Sequence, residues 1–391
     1  MKTIRKIWES LVFSVFPPFK MLPPGSYHFQ TPPEATEQYR LHLRINPAGD
    51  GLFIINAATV LHLNQTAAEY AYHVVNQTPP EEAARRVSQR YHVPFHQAQQ
   101  DLNDLKERIE VLIHQQDLDP ITFLDLEEQN TYTADLAAPL RLDCALTYLS
   151  DGLATPGLAP SERVKSELNT QQWMRILDKG WQVGIPQVVF TGGEPTLRPD
   201  LKDLIGYAEK LGMITGLLTN GLALTESEAL NQLLLAGLDH MMLLLDPASP
   251  QSWQAVKTAV AADIFLTVHV TVDSPDTAAV KNTLQMLVDN GVKNVSLSAA
   301  SLELHSAIEA ARHGAASLGL RLISDLPVPY SRFHPVALEM GGSTELSPGS
   351  GSKWLYVEPD GDVLPGQGIL QVMGNLLTDP WEVIWNNRPK G

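Results

Sequence analysis

The sequence predicts an α/β protein built on a partial (βα) barrel. A small winged-helix-like domain precedes the barrel and a small β-hairpin extension follows it. Three observations carry this expectation. Across 139–330, short apolar runs alternate with helical patterns, the signature of βα units around a parallel sheet. Across 38–116, three strand-like runs are followed by three helical ones. In the tail, 331–391, the stretch WLYVEPDGDVLPGQG reads as a hairpin turning at Asp360-Gly361.

The elements follow in order. In 1–37, Ile4, Ile7, Trp8, Leu11, Val12 and Val15 recur at helical spacing, with Lys2, Arg5 and Lys6 on other faces, ahead of a proline-rich lead-in. Glu9 and Pro17-Pro18 argue against a secretory segment. Two readings stay open: a helix docked on the body or on a second copy, or an interfacial helix on a membrane surface. The runs 40–45 (RLHLRI), 52–56 (LFIIN) and 59–63 predict strands, and 67–75, 80–91 and 97–113 predict helices. Residues 117–138 read as a linker.

In the barrel, strands are predicted over 141–148, 187–190, 213–219, 240–245, 264–272, 292–297 and 321–326. The helices between them cover 169–184, 199–211, 226–237, 250–261, 276–291 and 304–318. Asn169 or Thr170 is the expected cap of the first of these. Functional groups of such a barrel sit on the loops after the strands.

Composition excludes several classes. Net charge is −16, which argues against nucleic-acid binding through a basic surface. No run reaches the roughly 18 apolar residues of a membrane span. The expectation is a cytoplasmic protein, membrane-associated if the first helix lies on a bilayer. The chain has one cysteine, Cys144, so no intrachain disulfide can form.

Thr191-Gly192-Gly193-Glu194-Pro195 follows the second barrel strand, and Leu218-Thr219-Asn220-Gly221 follows the third. Paired glycines let backbone come close to a ligand. At this βα spacing the two strings resemble the radical S-adenosylmethionine (radical SAM) superfamily, over about 139–330. The resemblance implies a partial TIM barrel and a nucleotide site at Gly192, Gly193, Glu194, Pro195, Thr219 and Asn220. Glu194 either accepts from an amine or hydrogen-bonds backbone at the rim. Residues 38–116 resemble the PqqD-like domains, on LFIINAATVLHLNQTAAEYAYHVV and TPPEEAARRVSQRYHV. That resemblance implies capture of a leader peptide by strand addition between an edge strand and the last helix. The tail resembles the SPASM or twitch extensions, on WLYVEPDGDVLPGQG and GNLL.

The superfamily holds an iron–sulfur cluster on three cysteines spaced C-x3-C-x2-C. On the register of Ala145-Leu146-Thr147-Tyr148, those positions fall here at Ser150, Ala154 and Gly157, and the tail's equivalent at Gly366. Each iron needs its own ligand, almost always a thiolate. Ser, Ala and Gly do not replace thiolates. The sequence therefore leads to a cluster-less pseudoenzyme that binds a peptide or protein partner, with no certain cofactor and the iron–sulfur cluster set aside. The alternative is repurposed cluster-free chemistry, with S-adenosylmethionine retained. A conventional radical SAM enzyme ranks last. His240 and His269 read as packing residues of the barrel, and Asp246 as an acid ending the fourth strand. No nucleophile elbow, P-loop or HExxH motif occurs.

Overall fold

The computed structural model of the chain describes residues 22–32, 34–56, 59–114, 136–150, 157–262, 264–324, 326–338 and 348–389. The amphipathic stretch from Ile4 to Val15, most of the 117–138 linker and Ala154 lie outside the described residues. The chain divides into two compact units, Met1–Thr133 and Ala134–Gly391.

The first unit holds β1 (Gly25–Gln30), β2 (Arg40–Ile45), β3 (Gly51–Ile55), β4 (Thr59–Leu63), α1 (Gln65–Val75), α2 (Pro80–Tyr91) and α3 (Phe95–His114). The strands form one antiparallel sheet in the order β1-β2-β3-β4. Leu41, Leu43, Phe53, Ile55, Leu61 and Leu63 turn to the helices and pack on Ala68, Ala71, Val87 and Leu102. Asn64 starts α1 by accepting from the Ala67 N–H at 2.9 Å. Three strands were expected, and the fourth, β1, comes from the stretch read as lead-in. Its alternation SYHFQ sets Tyr27 and Phe29 against the core of the unit and pairs His28 with His42.

The second unit holds β5 (Arg141–Thr147), α4 (Thr170–Gln182), β6 (Gln187–Gly192), α5 (Leu201–Leu211), β7 (Ile214–Thr219), α6 (Ser227–Leu235), β8 (His240–Leu244), α7 (Pro250–Ala261), β9 (Phe265–Val272), α8 (Thr277–Asp289), β10 (Asn294–Ala299), α9 (His305–Ser317), β11 (Arg321–Leu322), β12 (Trp354–Val357), β13 (Asp362–Leu364), β14 (Gly374–Asn375) and α10 (Trp381–Asn386). The sheet runs β11-β10-β9-β8-β7-β6-β5-β12-β13-β14, and β5 to β11 are parallel. Asn169 caps α4 in a reciprocal box with Gln172. Ser249 and Asp276 start α7 and α8, each side chain accepting a backbone N–H of the first turn without a reciprocal box.

Alternate residues of the barrel strands face opposite sides. Leu142, Cys144, Leu146, Phe190, Leu217, Met241, Leu243, Val268 and Val270 join the helix-side core. Val189, Leu218, Met242 and Leu244 form a separate cluster inside the barrel. The inner end of β8 carries His240, whose ring hydrogen-bonds Gln187 at 2.9 Å. A Cβ at Gly216 would lie 2.1 Å from that ring, so glycine makes room for it.

Two expectations change. The tail hairpin is part of the barrel sheet: β12 runs parallel to β5, with Leu355 opposite Leu142 and Val357 opposite Cys144. The strand expected over 321–326 shrinks to Arg321–Leu322. The Ile323 N–H still donates to the Val295 carbonyl at 2.8 Å, and Pro327 and Pro329 lie beyond the expected strand.

Candidate functional site at the barrel rim

Gly192 ends β6 and Gly193 follows it, against the end of β5. The Gly193 N–H donates to the Thr147 carbonyl at 2.8 Å, and the Glu194 N–H to the Leu149 carbonyl at 2.8 Å. A Cβ on Gly192 would meet the Thr147 oxygen at 2.2 Å, and one on Gly193 the Leu149 oxygen at 2.2 Å. Gly192 also has a φ of 127°. The glycine pair is thus required by backbone meeting backbone. Gly193→Ala is expected to destabilise the protein by about 3 kcal/mol or more, because the obstructing atoms are main chain. Chemical denaturation measures this, and a loss under about 1 kcal/mol would contradict the close approach.

Glu194 is 4% exposed and locks this loop to the next one. Its Oε1 accepts from the Thr196 N–H at 3.0 Å, the Thr196 hydroxyl at 2.6 Å and the Thr219 hydroxyl at 2.7 Å. Its Oε2 accepts from the Asn220 N–H at 2.7 Å. Burial raises the Glu194 pKa, and the bonds from Thr196, Asn220 and Thr219 oppose that rise. Of the two readings of Glu194, the structure displays the rim lock. All six predicted nucleotide residues come together: Gly192, Gly193, Glu194 and Pro195 are buried on the first loop, and Thr219 and Asn220 meet them from the second.

The rim continues around the barrel. Asp246 lies just past the end of β8 and pairs with Arg332, whose guanidinium lies 4.6 Å from the Phe333 ring centroid. Leu245, Thr271, Asp273, Arg332 and Phe333 help line a pocket of about 330 Å³ there. On the other side, Tyr148 donates to Glu358 at 2.9 Å, and Arg163 pairs with the same carboxylate at 2.8 Å. Sequence reading missed Arg332, Tyr330, His334 and Glu358, because they come from irregular segments distant from any motif. His269 is satisfied by Ser296 at 3.1 Å and Ser298 at 2.9 Å, a packing role as expected.

The degenerate positions are scattered in role. Ser150 is buried, Gly157 adopts a φ of 82°, and a Cβ at Gly366 would press on Ser350 Oγ at 2.7 Å. Cys144 lies in β5 on the helix side, and burial pushes its thiol well above the ordinary range. Among the described residues, no group of three His, Cys, Asp or Glu side chains is placed to hold a metal ion. The donors that these residues supply do not fit a thiolate-held cluster. Among the described residues, no helix is long and apolar enough to cross a membrane.

Residues 154–302 match the radical SAM superfamily. The chain is 29% identical over 258 residues to the PqqA peptide cyclase of Streptomyces rochei, covering 57% of this chain and 68% of that protein. It is 31% identical over 256 residues to the PqqA peptide cyclase of Ruegeria pomeroyi, covering 58% of this chain and 64% of that one. In fold it is similar to Streptococcus suis SuiB bound to its precursor peptide SuiA, at a TM-score of 0.56 and 15% identity, covering 88% of this chain and 86% of that one. SuiB has also been solved bound to S-adenosylmethionine, with a TM-score of 0.56 and 15% identity to this chain, covering 91% of this chain and 88% of that one.

These likenesses overturn two expectations. The cluster-less pseudoenzyme is set aside, because the relatives bear the name of peptide cyclases and none of them points to a pseudoenzyme. The expectation of no certain cofactor is likewise corrected, because the superfamily and these relatives imply an iron–sulfur cluster together with S-adenosylmethionine. The cysteine count misled because it weighs thiolates alone and is blind to likeness of sequence and fold. Residues 154–302 thus match the radical SAM superfamily, and over a little more than half of its length the chain is similar in sequence to the PqqA peptide cyclases.

Proposed function

We propose that this protein acts in the modification of a ribosomally made peptide, with S-adenosylmethionine bound at the barrel rim. The observation that carries the reading is the Glu194 lock, which fixes the Gly192–Pro195 loop to Thr219 and Asn220 within the region matching the superfamily. A rim held by hydrogen bonds on both carboxylate oxygens is preorganised, so little ordering remains to be done when a ligand binds. The six residues Gly192, Gly193, Glu194, Pro195, Thr219 and Asn220 are the proposed nucleotide contacts and neighbours.

The first unit is proposed as a PqqD-like element that grips the peptide, and the tail as a SPASM- or twitch-like extension. Support for the former lies in β4, an edge strand whose outer side is paired to no strand among the described residues. Strand addition uses such an edge, with backbone hydrogen bonds giving affinity. The test uses the full chain and synthetic peptides encoded by short reading frames beside its gene. One of them is expected to bind, and N-methylation of alternate backbone nitrogens is expected to weaken it about tenfold or more. If no such peptide binds, or N-methylation has no effect, peptide capture by strand addition is wrong.

A further inference from the structure

Between β11 and β12 the chain turns back into the barrel. Leu326 and Val328 pack against Val189, Leu218, Met242 and Leu244. Gln367 grips this strap from the tail: its amide donates to the Val328 carbonyl at 2.8 Å and its oxygen accepts from the Val328 N–H at 3.0 Å. Two residues on, the Tyr330 N–H donates to the Gly192 carbonyl at 2.8 Å. The strap therefore delivers Tyr330 to the glycine pair, where its side chain is 1% exposed.

Two other polar side chains stand on neighbouring segments. His334 has its ring centroid 6.3 Å from that of Tyr330. Thr191 stands in register with Ala145 across β5 and β6, and Ala145 packs with Tyr330. Thr191 is also 1% exposed. Thr191 Oγ1, Tyr330 Oη and His334 Nδ1 are buried and have no hydrogen-bond partner among the described residues. Buried polar groups are nearly always paired, and three unpaired ones on neighbouring segments point to a ligand.

We propose that Thr191, Tyr330 and His334 form a subsite inside the barrel that holds an uncharged amide of the peptide substrate. Two hydroxyls can donate to an amide carbonyl, which has two lone pairs, and an imidazole nitrogen can accept from the amide N–H. Burial pushes the His334 pKa down to about 4, so the ring is neutral at pH 7. His269 next to it is also neutral, pushed down to about 3 by burial and by His334. A charged group would meet no counter-charge in this trio, and burying it there would be costly. The subsite rests on the reading of the barrel as the chamber where the peptide reacts.

The test titrates the full chain with three small probes: N-methylacetamide, acetate and methylammonium. The His334 ring resonances report occupancy, and S-adenosylmethionine is titrated on the same sample. N-methylacetamide is expected to shift His334 saturably while the two ions do not. Tyr330→Phe is expected to weaken that binding about three- to tenfold, the worth of one neutral hydrogen bond, without lowering Tm. Equal response to the ions, or no response to the amide, overturns the subsite. A Tyr330→Phe variant with lower Tm and unchanged amide affinity also overturns it, since the hydroxyl would then be structural. S-adenosylmethionine binding without amide binding defeats the subsite alone. Amide binding without S-adenosylmethionine binding supports the subsite and defeats the proposed nucleotide site.

Discussion

Glu194→Gln is expected to cost about 2–4 kcal/mol of stability although it preserves side-chain shape. The reason is the division of donors. One carboxylate oxygen takes three of them and the other takes the Asn220 N–H. An amide has one oxygen. Turned to serve Thr196 and Thr219, it points its NH2 at the Asn220 N–H, donor against donor in a buried site. Turned the other way, it sets its NH2 against the Thr196 N–H and forces the two hydroxyls to turn from donating to accepting. The same change is expected to weaken S-adenosylmethionine binding about tenfold or more, because the two loops lose their common anchor. Equilibrium denaturation and nucleotide titration of the purified variant measure both. A variant within about 0.5 kcal/mol of the parent would show that the lock contributes nothing.

Acid is expected to destabilise the second unit well before its carboxylates titrate in the ordinary range. His240, His269 and His334 are pushed down to about 4, 3 and 4, mainly by burial. Unfolded, each returns to about 6.5. Between these values the unfolded chain binds protons that the folded chain refuses. Stability is therefore complete above about pH 6.5 and falls as pH drops toward 4, by about 1.4 kcal/mol per unit for each histidine. Asp143 and Glu194 act in the opposite sense. Burial raises both, so their charges are costly at neutral pH and their protonation returns part of the loss. Denaturation at pH 7.5, 6 and 5 reads the slope. His240→Gln, which can still hydrogen-bond Gln187, is expected to flatten it by about a third. A stability that does not change from pH 7.5 to 5 contradicts the neutral, buried state of these rings.

The regular parts of this fold were legible in the sequence because burial writes a period there. RLDCALT alternates, with Leu142, Cys144 and Leu146 toward the helices, while HMMLL sets Met241 and Leu243 toward the helices and Met242 and Leu244 toward the interior. GGEP was legible because only glycine tolerates main chain at 2.2 Å. The strap was not, since Leu326-Pro327-Val328-Pro329-Tyr330 has neither period and is held by residues distant in sequence, among them Gln367 and Gly192. Strand β1 was obscured by the prolines around it, although Tyr27 and Phe29 alternate as a half-buried edge strand should. The tail's pairing of β12 with β5 spans more than two hundred residues, and no local pattern announces it. The function was misjudged for a different reason: one cysteine says which donors this chain has, and nothing about the nucleotide and peptide surfaces.

The central claim is that the rim built on Gly192–Pro195, Thr219 and Asn220 binds S-adenosylmethionine. The most direct measurement is calorimetric titration of S-adenosylmethionine into the full chain, with Glu194→Gln alongside and folding of both checked by circular dichroism. The account predicts saturable one-to-one binding to the parent and affinity about tenfold or more weaker in the variant. A folded parent that takes up no S-adenosylmethionine would contradict it.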